Sequence, residues 1–277
     1  MKAIWRVLVD AANRFVEDDD FAIASHITLS ALTSLFPFLI FVAALAGFVG
    51  SANLADEASR LVFDAWPAAV ARPIAEEVRN VLTAPRGGLL TVGAALSLYF
   101  STSAIEAVRS GLNLAYGFKE TRPWWLRRLQ SAAFMIVGSI ALLALAFLVV
   151  LGPLIWAKLV ALAPGLAPFK ASVTLARLAV ATLLLAVAMF VAHLWLPAGK
   201  VRLAEAAPGA TATLIASVAF SEAFGAYLND FASRYVSTYA GLASVMIALM
   251  FLYSLATLFL AGGALNAAII RARRAAS

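Results

Sequence analysis

The chain contains no cysteine in 277 residues, which excludes disulfide staples, thiolate metal sites and cysteine nucleophiles. Histidine is nearly as scarce: His26 and His193 are the only two, each within or at the edge of an apolar stretch. Charge is thin as well. Asp, Glu, Lys and Arg make up 13% of the residues, against about 25% in an ordinary soluble domain. What is there instead is apolar side chain, at 63% of the sequence. A water-soluble globule already has about 55–60% apolar surface at normal composition, so lipid must be the solvent for much of this chain. The net charge of +6 then points to loops facing anionic lipid rather than to nucleic acid.

About 20 helical residues cross the roughly 30 Å hydrocarbon core of a bilayer. Six stretches fit, with predicted spans at about 27–49, 87–105, 131–152, 178–197, 206–226 and 241–266. Gly152-Pro153 marks an end or kink after the third. The fifth is the shortest uncharged run, stopped by Glu222, and the pair of spans four and five could instead be re-entrant. The predicted fold class is therefore all-α: a polytopic six-helix membrane bundle, with residues 1–277 forming one membrane domain.

Loop cations set the orientation. The side holding the N-terminus, the second and fourth loops and the tail collects 13 Lys and Arg, against 8 on the other side. Both termini are expected in the cytoplasm and the chain in a bacterial inner membrane. Asp10, Glu17 and Asp18–Asp20 precede the first apolar run, so no cleavable signal peptide is expected. Residues 1–25 read as a cytoplasmic interfacial helix, with Ile4, Leu8, Ala11/Ala12 and Phe15 on one face and Asp20 placed to cap the first span. Residues 51–86 read as amphipathic helices on the outer face, broken by Pro67 and Pro73.

Polar groups at membrane depth cost free energy and demand partners, so they are the candidate functional residues. Span one places His26, Ser30, Thr33/Ser34 and Pro37 on one face. That face is either a kinked, polar cavity lining or small-residue helix packing. Span two ends with Tyr99, Ser103, Glu106 and Ser110 on a face, followed by Arg109 and Asn113. This cluster is either a gate or an interfacial cap, with Glu106 able to pair with Arg109 or Ser110. Span five carries Ser217 and Glu222, then Tyr227. Glu222 is a proton-relay candidate if buried and an interfacial carboxylate if not. His193 reads first as a packing histidine. Asn266, beside Gly262-Gly263, can hydrogen-bond across helices that approach closely.

With those residues in view, the chain resembles the YihY/BrkB-type integral inner-membrane protein family over nearly its full length. The resemblance rests on Ser34-Leu-Phe-Pro37, Ser101-Thr-Ser-Ala104, Leu112-Asn-Leu-Ala-Tyr116 and Leu196-Pro197, then Pro208-Gly-Ala210, Phe224–Tyr227, Tyr239-Ala-Gly-Leu242 and Leu260–Asn266. It implies a six-helix inner-membrane protein suspected of moving lipids or other envelope compounds. Two positions depart from the pattern. Ala240 stands where the family usually has glycine, and Ala264 where it usually has a carboxylate, which removes that acid from any mechanism here.

Family members have carried a ribonuclease label, and the residues argue against one. Metal-dependent nucleases need clustered His and Asp ligands, whereas this chain has two isolated histidines and one acidic run, Asp18–Asp20, at a helix start. It has no Gly-x-Ser-x-Gly elbow and no Gly-x-x-x-x-Gly-Lys phosphate loop. No enzyme activity, catalytic residue, metal or cofactor is expected. The expected partners are membrane lipids, not nucleic acid, with a homo-oligomer left open. The function expected is transport or export of a lipid-like or amphiphilic envelope compound, the alternative being a non-catalytic membrane scaffold or envelope assembly factor.

Overall fold

A computed structural model describes residues 2–49, 87–148, 152–239 and 243–276, and among them every element is helical. In chain order they are α1 (Lys2–Glu17), α2 (Asp20–Val49), α3 (Gly87–Tyr116), α4 (Trp124–Ala146) and α5 (Gly152–Leu162). A 3-10 segment, Pro164–Phe169, leads into α6 (Lys170–Trp195), followed by α7 (Leu203–Tyr239) and α8 (Ala243–Ala276). The amphipathic pair expected over 51–86 lies outside the described residues.

Local chemistry sets the breaks. Asp19 adopts φ 54°, a left-handed conformation that Asp tolerates better than most residues, and its carbonyl accepts from the amides of Ala22 and Ile23. The acidic run is thus the turn between α1 and α2. Gly117, at φ 69°, ends α3: its N–H donates to Leu114 O (2.9 Å), and Phe118 N–H donates to Asn113 O (2.8 Å), the 5→2 and 6→1 pair of a Schellman cap. Pro123 stands just before α4 and Pro197 just after α6, where proline's missing N–H costs least.

Four helical stretches are long and apolar enough to cross a membrane among the described residues: Trp124–Leu145, Pro164–Trp195, Leu203–Leu228 and Val245–Ala275. The surface agrees with lipid as solvent. On α6 the side chains of Leu175, Leu178, Val180, Leu183, Leu185 and Val187 are all exposed, which in water would leave an apolar surface far larger than a monomer normally tolerates.

The helix α8 is central, packing against α1, α2, α3 and α7. Its partners meet it through small residues. A cluster of Phe15, Ala24, Ile27, Ala107, Ala256, Leu260 and Ala264 joins α1, α2, α3 and α8. The face expected on α1 is divided: Ala11 and Phe15 are buried, whereas Ile4 and Leu8, with Trp5 and Val9, stay exposed. Asp10 fastens this helix to α8 by accepting from Arg271 Nη2 (2.8 Å) and Nε (3.1 Å).

The tightest approach is between α7 and α8. A Cβ added at Gly209 would strike the Gly262 carbonyl, and one at Gly262 would strike Thr213 Oγ1 and the Gly209 carbonyl. Only glycine permits that crossing. Gly262→Ala should therefore cost roughly 1–3 kcal/mol of stability. Gly138→Ala, on a helix face where an added Cβ meets nothing within 4 Å, should be neutral or stabilising. Thermal melts of both variants in detergent test the contrast; equal melting temperatures would remove the packing argument.

Asp20 does not cap α2. It lies in the helix's first turn, fully buried, and neither carboxylate oxygen has a hydrogen-bond partner. Burial, with the neighbouring Asp18 charge, raises its pKa from 3.8 to about 7. The fold therefore favours the protonated acid, and between those values the unfolded chain binds fewer protons. Stability should fall as pH rises from about 4 to about 7, and Asp20→Asn should abolish that fall. Melting curves at pH 5 and pH 8 for both proteins check it, and an identical slope in the two would exclude Asp20 as its source.

Candidate functional site: a polar belt at the end carrying both termini

The end of α3, the start of α4, the end of α6, the start of α7 and the last third of α8 converge at one level of the bundle. Three linked clusters of polar side chains occupy it.

The first is built on Arg109, of which only 2% is exposed. Its Nη1 lies 2.9 Å from Glu106 Oε1 as an ion pair, and its Nη2 donates to Ser131 Oγ (2.7 Å) and to Arg127 O (3.3 Å). Ser131 Oγ in turn donates to Glu106 Oε1 at 2.7 Å. The triangle fastens α3 to α4. Burial lowers the Arg109 pKa from its ordinary value, opposed by the Glu106 charge and hydrogen bond. A buried cation of this kind is tolerated only because its partner is within contact distance. Nearby, the Arg128 guanidinium sits 4.0 Å over the Tyr99 ring, a cation–π contact between the same two helices.

The second cluster caps the end of α6. Glu120 accepts from Arg122 Nε and Nη2, both at 2.8 Å, and from Asn113 Nδ2 at 3.1 Å. Its hydrogen bonds from Arg122 are the main cause of a pKa lowered to about 2. The loaded Arg122 then donates to Gln130 Oε1 (2.7 Å) and Leu196 O (3.2 Å), while Gln130 Nε2 donates to Trp195 O at 2.7 Å. Asn113 Oδ1 accepts from Ala198 N–H at 2.6 Å. Carbonyls left free at a helix end need such donors, and inside a membrane protein the requirement is stricter.

The third is Asn266, fully buried. Its Oδ1 accepts from Gly209 N–H (2.6 Å), and its Nδ2 donates to Tyr116 OH and Ala206 O, each at 3.0 Å. One carboxamide thus joins α3, α7 and α8. Burial pushes the Tyr116 hydroxyl up to about 12, so it stays protonated across the physiological range. His193 lies nearby, buried, with Nδ1 3.0 Å from Met189 O and its ring 4.6 Å from that of Phe259.

Of the residues singled out in the sequence, Glu106, Asn113 and Asn266 belong to this belt, and Ser103 is half-buried one turn before Glu106. Glu106 pairs with Arg109 and Ser131; Ser110 Oγ donates instead to the Glu106 carbonyl. The α2 face is split: Ser34 is buried and donates to Ala31 O at 3.0 Å, Ser30 and Pro37 are half-buried, and His26 is exposed. Pro37 sits inside a helix that continues to Val49. On α7, Ser217 is half-buried, its carbonyl accepting from Ser221 Oγ, and Tyr227 is 40% exposed. Glu222 is exposed midway along a helix that runs on to Tyr239, so it neither ends the helix nor is buried in the bundle.

The sequence reading missed Tyr116, Glu120, Arg122, Gln130 and Ser131. Arg122 entered it only as an orientation signal, and the usable clue was a Glu120-x-Arg122 pair beside a span end.

The Asn266 contacts allow a graded test. Asn266→Ala strands the Gly209 N–H and the Tyr116 hydroxyl, and should cost roughly 2–6 kcal/mol at about 1–3 kcal/mol per buried orphan. Tyr116→Phe removes one contact while Nδ2 keeps Ala206 O, and should cost about 1 kcal/mol. Denaturant or thermal melts that reverse this order would contradict the assigned geometry.

Among the described residues, no group of three or more His, Cys, Asp or Glu stands close enough to hold a metal ion. YfkH of Bacillus subtilis, whose name calls it ribonuclease-like, is 27% identical over 244 residues, covering 88% of this chain and 87% of that protein. A UPF0761 membrane protein of Rhodospirillum centenum is 26% identical over 266 residues, covering 95% of this chain. The chain spans 57% of that longer relative's length. No solved structure matches. The sequence profile described as virulence factor BrkB matches residues 11–277, from the middle of α1 through α8, and the chain accordingly belongs to the BrkB family of membrane proteins.

Proposed function

We propose that this protein sits in a bacterial inner membrane with six spans, α2 and α3 joining the four stretches already described as long and apolar enough to cross, and with both termini in the cytoplasm. Its proposed role is to move a lipid-like or amphiphilic envelope compound. The observation that carries this reading is that Ser30 on α2 and Ser103 on α3 are both half-buried on two helices that pack together, with the Glu106–Arg109–Ser131 triangle following Ser103 on α3. Hydroxyls between apolar helices offer a headgroup a graded polar path, and a buried ion pair at its end can trade partners with a charged headgroup. Membrane lipid is the proposed partner, and no nucleic acid is.

The test is reconstitution of the full chain into vesicles carrying a trace of fluorescent phospholipid, with loss of inner-leaflet label followed over time. Wild-type vesicles should exchange label faster than protein-free ones. Glu106→Gln, which weakens the Arg109 pair, should slow the exchange at least about tenfold if a contact worth about 1.4 kcal/mol in the rate-limiting state is lost. Wild-type vesicles indistinguishable from protein-free ones would reject transport of such lipids and favour a membrane scaffold.

A further inference from the structure

At the far end of α6 from the polar belt, α5, the 3-10 segment and the start of α6 line a half-open cavity of about 420 Å³, within the roughly 300–1,000 Å³ of small-molecule sites. Lys170, Thr174 and Arg177 enter it from one face of α6, at i, i+4 and i+7. Trp156 enters it from α5. Pro153 and Val160 of α5 line it with apolar surface, and Val173 adds an apolar side chain from α6.

Two observations say what the cavity wants. Trp156 Nε1 and Arg177 Nε are buried donors with no hydrogen-bond partner, and buried donors are normally satisfied. The local charge is also of one sign. Between Glu120 and Glu205 the sequence holds no Asp or Glu at all, and no ion pair engages Lys170 or Arg177 among the described residues. Two cationic side chains and a tryptophan with an unpartnered N–H therefore line a space for which neighbouring sequence supplies no anion. Arg177 is held in place there, its Cδ lying where a Cβ on Gly152 would come within 2.7 Å.

We propose that this cavity binds an anionic phosphate group, and specifically the headgroup of an acidic phospholipid. Arg177 presents a planar fork suited to phosphate oxygens, Lys170 adds a point charge, and the Trp156 N–H and Thr174 hydroxyl can complete the shell. Lipid is favoured over free phosphate because half of the wall is apolar, suited to glycerol and the first acyl carbons. The uncharged run from Leu178 to Gly199 begins one residue after Arg177. Lys170 stands about 10 Å further out along the helix, at about 1.5 Å per residue. The cations thus mark the level where headgroups meet hydrocarbon. This site goes beyond the proposed transport role, because holding a lipid here requires no movement of it.

The test uses the purified full-length protein in neutral detergent, with bound lipid counted by native mass spectrometry. Dioleoyl phosphatidylglycerol should bind about tenfold or more tightly than dioleoyl phosphatidylcholine, the order expected for two interfacial cations. Lys170→Gln combined with Arg177→Gln should erase that preference. Arg177→Lys, which keeps the charge, should retain most of it, and so separates charge recognition from loss of the Gly152 contact. Trp156→Phe should weaken phosphatidylglycerol severalfold at unchanged melting temperature. Equal binding of the two lipids by the wild-type protein would overturn the proposal, as would an undiminished preference in the double variant. Displacement of phosphatidylglycerol by millimolar inorganic phosphate would overturn the lipid assignment in favour of a soluble anion. Vesicles that fail to exchange labelled lipid while phosphatidylglycerol still binds would reject transport alone.

Discussion

Backbone contact between Gly209 and Gly262 brings α7 and α8 too close for any side chain to separate them, and Asn266 fills the next position along that seam. Its carboxamide satisfies an amide near the start of α7, a carbonyl of the same helix and the hydroxyl that ends α3. Lipid provides no competing water for those groups, so each must be matched internally. The position of α3 relative to α8 follows, and with it the loop after Gly117 that carries Glu120 and Arg122. Arg122 and Gln130 then reach the last carbonyls of α6. The belt is one chain of dependence that begins at a glycine pair.

A membrane bundle gains little from burying apolar surface against neighbours, since lipid tails are equally apolar. Many of the buried residues here are accordingly small or polar, such as the alanines at 24, 107, 206, 210 and 264, with Thr102, Ser131, Ser139 and Thr213. Many hydroxyls donate back to their own helix, as Thr28 does to Ala24 O and Ser139 to Met135 O. That arrangement makes a polar residue compatible with hydrocarbon without making it functional.

This explains what could be read from sequence and what could not. The all-helical class and the presence of apolar helices long enough to cross a membrane were legible, because uncharged runs are local. Asn266 was legible as a cross-helix donor, because a carboxamide beside paired glycines has few other uses. The α2 face was legible only as a periodicity. Spacing put His26 and Ser34 together, whereas burial separates them, since the width of the buried stripe depends on the neighbours. Glu120, Arg122 and Gln130 were invisible as a unit, because their common target is a helix end more than 60 residues later. Glu222 is exposed for the converse reason: its place on α7 faces away from both packing partners, which periodicity alone does not determine.

The Asp10–Arg271 contact joins residues 261 positions apart. Chains emerge from the ribosome amino end first, so α1 is made before anything it rests on in α8. Until α8 arrives, the cluster around Phe15 lacks Ala256, Leu260 and Ala264, and Asp10 lacks Arg271. During that interval the exposed stripe of Ile4, Trp5, Leu8 and Val9 gives the helix a surface that lipid headgroups can hold. The helix α1 is therefore made before α8 and fixed only after it, so its docking follows the insertion of α8.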